Sequence, residues 1–294
     1  MKKLLLAAAA AFAIVSCASA PSAGDAAVSL AVSEALDAAL AGQSDEVKAR
    51  YEWRHPKETL EFFGVKPGMT VVDVLPGGDG YYSKILLAYL GDGGKVIGAD
   101  YSVEMWKLFG GFVNDEFLTK KATWTTEWSD DARTWCEEDC AEVDAIVYGS
   151  IADDMKGTAD AVLMIRALHH FNRFEEEGGW RTKALKDTMD LLKPGGVVGV
   201  VAHRGPEGHS DKWAEGDKGY LKQSQVIAAF EAAGFQLADT SEINANPADQ
   251  PTEEDMVWRL PPTLGTSRDN PSLKAKMEAI GETDRMTLKF RKPK

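Results

Sequence analysis

Thr70-Val71-Val72-Asp73-Val74-Leu75-Pro76-Gly77-Gly78-Asp79-Gly80 is the stretch that decides the fold. Thr70 to Val74 is a short, β-branched, apolar run bounded by turn signals, which predicts a strand. The glycines after it carry no side chains, so the backbone there turns tightly and lets a ligand approach closely. From Tyr81 onward, Ile85, Leu86, Leu87 and Leu90 mark the apolar face of a helix, whose first N–H groups are unpaired and point at the turn. Lys95 to Asp100 reads as a second strand ending in an acid. Asp100 follows Gly80 by twenty residues, the spacing of a ribose-binding acid in a Rossmann unit. Strand, glycine turn, helix, strand and acid together predict a nucleoside-cofactor site on Pro76, Gly77, Gly78, Gly80 and Asp100. The bland alternative is a structural turn beside a solvated Asp100.

Working outward, further strands are predicted over Val143 to Tyr148, Ala159 to Ile165, Gly196 to Ala202, Val257 to Leu260 and Met286 to Phe290. Helices are predicted over Lys57 to Phe63, Arg181 to Leu192 and Gln225 to Ala233. This alternation predicts an α/β, Rossmann-like, mainly parallel sheet with helices on both faces. Residues 115–141 do not fit it and read as an inserted helix and loop. The main domain spans 46–294, behind a segment at 21–45 that combines a linker with a short Ala-rich helix over Val28 to Ala41.

Residues 1–20 read as a signal sequence. Lys2 and Lys3 precede an apolar run, Leu4 to Val15, too short to span a bilayer. Ile14-Val15-Ser16-Cys17 resembles a lipobox in which Cys17 carries lipid; Ala18-Ser19-Ala20 fits ordinary signal peptidase. The lipoprotein reading is preferred, because a lone Cys at the end of such a run is otherwise unexpected. Both place the domain outside the cytoplasm; the first anchors it to a bacterial membrane, facing the periplasm, through Cys17 alone. In an oxidising compartment Cys136 and Cys140 are candidates for a local disulfide, with two free thiols as the alternative. No second pair follows at zinc-ligand spacing, so no metal is expected. A net charge of -13 repels a phosphate backbone and argues against nucleic acid. Oligomeric state has no signature in the sequence.

The turn is not G-x-G-x-x-G, which disfavours a dinucleotide and the oxidoreductase that would use one. Asp73 would repel a pyrophosphate, yet pairs readily with a cationic amino group. Here the chain resembles the class I S-adenosylmethionine-dependent methyltransferases. Val71 to Gly78 is similar to their first motif, Leu191-Leu192-Lys193-Pro194-Gly195-Gly196 to the lead into their fifth strand, and Glu231-Ala232-Ala233-Gly234-Phe235 to the helix end before their sixth. Arg54-His55-Pro56, Arg166-Ala167-Leu168-His169, Asn246-Pro247-Ala248-Asp249 and Asp284 to Pro293 resemble a bacterial group of exported methyltransferases. The resemblance implies S-adenosylmethionine as cofactor. Leu75 and Asp79 stand where the wider family has glycine. The acid expected after the third strand is replaced near Gly149-Ser150-Ile151, which makes Ser150 and Ile151 candidate adenine contacts, with Asp153 as an alternative.

In this fold the acceptor lies beyond the C-terminal ends of the fourth and fifth strands. Those ends carry Arg166, His169, His170, His203 and Arg204. Neutral histidine takes a proton near neutral pH, so His169 or His203 is the candidate base. Arg166 and Arg204 are candidate anchors for an anionic small-molecule acceptor. For each histidine the competing reading is a ring that merely satisfies backbone carbonyls. Two functions remain open: methyl transfer, and an exported binding protein that keeps the fold without the reaction.

Overall fold

β1 (Thr70–Val74), β2 (Lys95–Asp100), β3 (Glu142–Val147), β4 (Ala159–Ile165), β5 (Leu192–His203), β6 (Gln236–Ser241) and β7 (Arg285–Arg291) form one sheet in a computed structural model that describes residues 23–294. The signal sequence expected at 1–20, with Cys17, lies outside the described residues. The strand order is β3-β2-β1-β4-β5-β7-β6. The first five strands are parallel, and β7 runs antiparallel between β5 and β6. This is a Rossmann-like α/β fold, as expected. Among the described residues, no helix is long and apolar enough to cross a membrane.

The central strands are apolar because both of their faces are covered. Alternate residues of β1 go to opposite faces: Val71 packs with Leu60, Phe63, Ile85 and Leu86, whereas Val72 packs with Ile97, Met164 and Val198. The helix Ala23–Ala41 buries Leu36 against the first of these layers and is longer than the one expected over 28–41. Residues 115–141 form the crossover from β2 to β3. Its helix, Asp115–Ala132, buries Trp128 against Gly98, where a Cβ would lie 2.5 Å from the ring. The loop after that helix is closed by a disulfide between Cys136 and Cys140.

Three elements differ from the sequence reading. Val257 to Leu260, expected as a strand, holds the 3-10 turn Val257–Arg259. Arg259 there is buried and paired with Asp249 at 2.6 Å, and that contact fixes the segment without any sheet partner. β6 follows the helix end at Phe235, where the family resemblance implies a strand, but its own residues give no strand pattern; as an edge strand it leaves most of its polar residues exposed and shows no apolar run. The helix Pro271–Ile280 buries none of its residues and likewise gives no amphipathic signal.

Gly199, in mid-β5, faces the ring of Phe63 on the helix Pro56–Phe63; an added Cβ would lie 2.6 Å from it. Gly199→Ala is therefore expected to destabilise the fold by about 1–3 kcal/mol through overpacking. Chemical denaturation reads this directly, and an unshifted midpoint would mean that Phe63 does not fix the helix-to-sheet distance.

Candidate functional site

The sheet reverses its order between β1 and β4, and a crevice opens there at the carboxyl ends of the strands. Two residues shape it. Leu75 and Arg166 immediately follow β1 and β4, and both have left-handed backbones, with φ of 56° and 58°. Each donates its N–H to the strand beyond: Leu75 to Ala99 of β2 and Arg166 to Val201 of β5, both at 2.7 Å. The paired kinks lift both side chains into a cavity of about 540 Å³.

Pro76 and Gly77 floor this cavity. An added Cβ at Gly77 or Gly78 would meet nothing within 4 Å, so the turn faces open space there. Gly80 is different. It is left-handed, and a Cβ on it would run into the ring of Trp135, so Gly80 is required for packing rather than for ligand approach.

His169, His170 and His203 all line the cavity. His169 is buried, and neither ring nitrogen has a hydrogen-bond partner. His203 shares Nδ1 with the Thr283 hydroxyl at 2.5 Å, and His170 shares Nδ1 with the Tyr101 hydroxyl at 3.0 Å. The ring of His169 stands 4.0 Å from that of His170 and 5.4 Å from that of His203, centroid to centroid. Burial first, then neighbouring positive charge, holds His169 and His203 well below the usual imidazole range and lowers His170 to about 3. All three are neutral at pH 7. Among the described residues no cluster of His, Cys, Asp and Glu is arranged to hold a metal ion.

Arg166 enters the same cavity, and its guanidinium has neither an ion pair nor a hydrogen bond among the described residues. Burial, followed by repulsion from Arg54, lowers it to about 10. Arg54 lies over the Tyr81 ring at 4.3 Å. With Arg50 and Arg285, it surrounds the buried carboxylate of Glu282. The sequence reading missed Arg50, Glu282 and Trp258. No local motif marks them, since Arg50 meets a residue 232 positions away.

Several expected site residues do not reach the cavity. Arg204 is spent on Asp284 at 2.8 Å and Glu242 at 2.7 Å, so it anchors no acceptor there. Asp73 accepts from the Ser83 hydroxyl at 2.7 Å and ties β1 to the helix Tyr81–Leu90; burial raises its carboxyl to about 7. Asp100 does not line the cavity. Its oxygens take the Lys121 ammonium at 2.7 Å, the Tyr101 N–H at 2.7 Å and the Trp106 indole N–H at 3.2 Å, and the residue is buried, so no face of it is open to a sugar. Ser150 is exposed and bonds Val147, Ile151 packs on the core, and Asp153 pairs with Lys156 at the surface. Trp258, by contrast, lines the cavity.

Fold and cavity define a Rossmann-like protein with a buried, cationic, histidine-lined site at the strand-order reversal. The chain matches no family model, and no curated protein matches it. Among solved structures it is similar to the [4+2]-cyclase SpnF, at 16% identity over 82% of this chain and 80% of that one, with a TM-score of 0.47. It is similar to a SAM-dependent methyltransferase from Aquifex aeolicus, at 19% identity over 69% and 94%, with a TM-score of 0.44. It is also similar to the 1,6-didemethyltoxoflavin-N1-methyltransferase of Burkholderia thailandensis, solved with 1,6-didemethyltoxoflavin and S-adenosylhomocysteine, at 13% identity over 94% and 93%, with a TM-score of 0.46. At these identities the likeness reaches the path of the chain and nothing finer.

The three depressed histidines set a pH dependence of stability. Unfolded histidines take up protons below the ordinary value of 6.5, and the folded ones do not. Their contribution is complete above about pH 6.5 and declines as pH falls toward 3, the value for His170. Four carboxyls raised by burial, Asp73, Asp100, Asp187 and Asp249, work the other way. The histidine share of the stability slope from pH 7 to 5 is therefore read against a histidine variant. His169→Asn should remove up to about 1.4 kcal/mol per pH unit of that slope. Denaturant midpoints across this range give the slope, and identical slopes in the two proteins would refute a neutral buried His169.

Proposed function

We propose that this chain is a methyltransferase that uses S-adenosylmethionine on a small-molecule acceptor, in a compartment outside the cytoplasm. One observation carries the reading. The cavity at the strand-order reversal joins an unobstructed stretch of the glycine turn, at Gly77, to a buried histidine with both nitrogens free. The disulfide Cys136–Cys140 supports an oxidising compartment.

The turn fits the cofactor, since its peptide is bare and a Cβ at Gly77 would stand in the open cavity. The nucleoside side fits only once Lys121 leaves Asp100, because the carboxylate is buried beneath that lysine and its other donors. When bound, the cofactor supplies an electrophilic methyl group on a sulfonium. The protein's part is alignment and proton removal. His169 is held neutral by burial and has an unused lone pair, so it takes the acceptor's proton at a ring nitrogen. His203 has one nitrogen committed to Thr283, which fixes its ring beside His169. Trp258 stands edge-on to His169, 6.0 Å between ring centroids, and lines the same cavity.

Isothermal titration of the purified protein with S-adenosylmethionine is expected to show saturable binding at one site. Gly77→Val, whose side chain would stand in the cavity, should weaken that binding at least about tenfold, at a stability cost of about 1–3 kcal/mol from its left-handed backbone. Absence of heat in the wild type, or unchanged affinity in the variant, removes the reading. Lys121→Met should act in the opposite direction. It removes the group that competes for Asp100, so affinity should rise by up to about tenfold as the competent state becomes populated. A Lys121→Met protein that binds no better would mean that Asp100 never serves the ligand.

A further inference from the structure

The cavity wall holds more positive charge than the protein neutralises. Arg50, Arg54 and Arg285 converge on Glu282; Arg54 Nε lies 3.3 Å and Arg285 Nη1 3.1 Å from its oxygens, and Arg50 donates to the same carboxylate. Arg166 is the fourth guanidinium of the group and has no acidic partner. Four cations therefore share one carboxylate. Glu282, Arg54 and Arg285 are all more than nine-tenths buried, so solvent does little to screen them. The other acids on the cavity wall, Glu46 and Asp79, are exposed at its mouth, where Lys84 also lies. The histidines add no negative charge. A cluster of buried like charges is costly unless an ion of opposite sign completes it.

The cofactor does not complete it. S-adenosylmethionine carries one carboxylate, one ammonium and one sulfonium, so it brings a net positive charge. The missing charge has to arrive with the acceptor. Arg166 also presents a planar fork with every donor free, the geometry that receives a carboxylate or a phosphate through paired hydrogen bonds. Its left-handed backbone, φ 58°, is a strained conformation for arginine and persists where it positions a side chain. We infer that the acceptor is a small organic dianion, a phosphate monoester or a dicarboxylate, seated on Arg166 beside His169. The inference rests on the methyl-transfer reading for the word acceptor, and on the charge count alone for the class of ligand. It also explains how a chain of net charge -13 takes an anion: the cations are gathered inside one cavity, away from the acidic surface.

The test uses inorganic phosphate and malonate as probes, with thermal unfolding of the whole protein followed against chloride at matched ionic strength. At least one probe is expected to raise the melting temperature in a saturable way. The larger shift identifies phosphate or dicarboxylate chemistry. Arg166→Gln should raise the half-saturating concentration about tenfold or more, and Arg166→Lys should restore part of the loss. In chloride alone, Arg166→Gln should melt no lower than the wild type, because it removes an unpaired charge; a merely structural arginine would give a lower value. The inference is overturned if neither probe stabilises beyond chloride, or if the shift survives in Arg166→Gln. S-adenosylmethionine is titrated into both proteins in parallel. A loss of its affinity in Arg166→Gln equal to the loss for the probe assigns Arg166 to the cofactor's own carboxylate and also overturns the inference. An Arg166-dependent probe shift with no S-adenosylmethionine binding removes methyl transfer and leaves the dianion site standing.

Discussion

Glu282 stands three residues before β7, and its carboxylate joins both ends of the described chain. Arg50 and Arg54 reach it from the helical segment ahead of the sheet, and Arg285 reaches it from β7 itself. Burial pushes this carboxyl up, but the arginines outweigh the effect and hold it below the usual range. Removing one partner from a buried ion pair typically costs about 3–5 kcal/mol, because the other charge is left without compensation. The wall of the cavity nearest Arg54 is therefore fixed by a contact between residues 228 apart in sequence. Asn244, Thr59 and Thr287 add neutral hydrogen bonds of 3.0 and 3.1 Å that hold the helix Pro56–Phe63 to β7 in the same region.

That fixed wall allows strain elsewhere. Leu75 and Arg166 each hold a left-handed backbone, a conformation that costs about 1–3 kcal/mol in a non-glycine residue. Each is offset by an N–H bond to the neighbouring strand, and both sit where the sheet order reverses. Leucine at position 75 replaces the glycine that such a turn usually accommodates, and its side chain lines the cavity instead of leaving room for backbone. At the next turn of the chain Gly80 is retained for a different reason, the Trp135 ring lying on it. Trp135 is followed at once by the disulfide-bonded Cys136, so the crossover loop and the glycine turn are mechanically joined.

The parts of this structure that were legible in the sequence are those set by local periodicity. β1, β2 and β4 begin and end where their apolar runs do, since strands covered on both faces must be apolar throughout. That Gly77 and the histidines at the ends of β4 and β5 share one cavity was legible for the same reason: topology brings strand ends together wherever the strands themselves are recognised. What failed was any inference that needed a side chain's partner. Asp100 has the position of a ribose acid, yet a lysine on the following helix and a tryptophan six residues on have taken its oxygens. Arg204 stands next to His203 but turns to Asp284, eighty residues away. Val257 to Leu260 has strand composition, but a buried Arg259–Asp249 pair directs it into a turn. Long-range ion pairs leave no periodic trace, so sequence spacing cannot report them.

Two charge arrangements flank the same turn, and they differ in kind. On the sugar side Asp100 is one acid already matched by one base, and burial raises its carboxyl against the opposing pull of Lys121. A ligand there has to break an existing pair before it makes its own contact. On the acceptor side four guanidiniums share a single carboxylate, and Arg166 has nothing to release. A buried charge-assisted hydrogen bond is worth about 1.5–3 kcal/mol where no competing partner is displaced. The first side loses most of that gain to Lys121, whereas the second keeps it. The histidines are held neutral by burial, so they neither add to the positive charge of the cavity wall nor offset it. The cavity wall thus carries unmatched positive charge at Arg166, whereas the charge at Asp100 is already matched by Lys121 from the helix Asp115–Ala132.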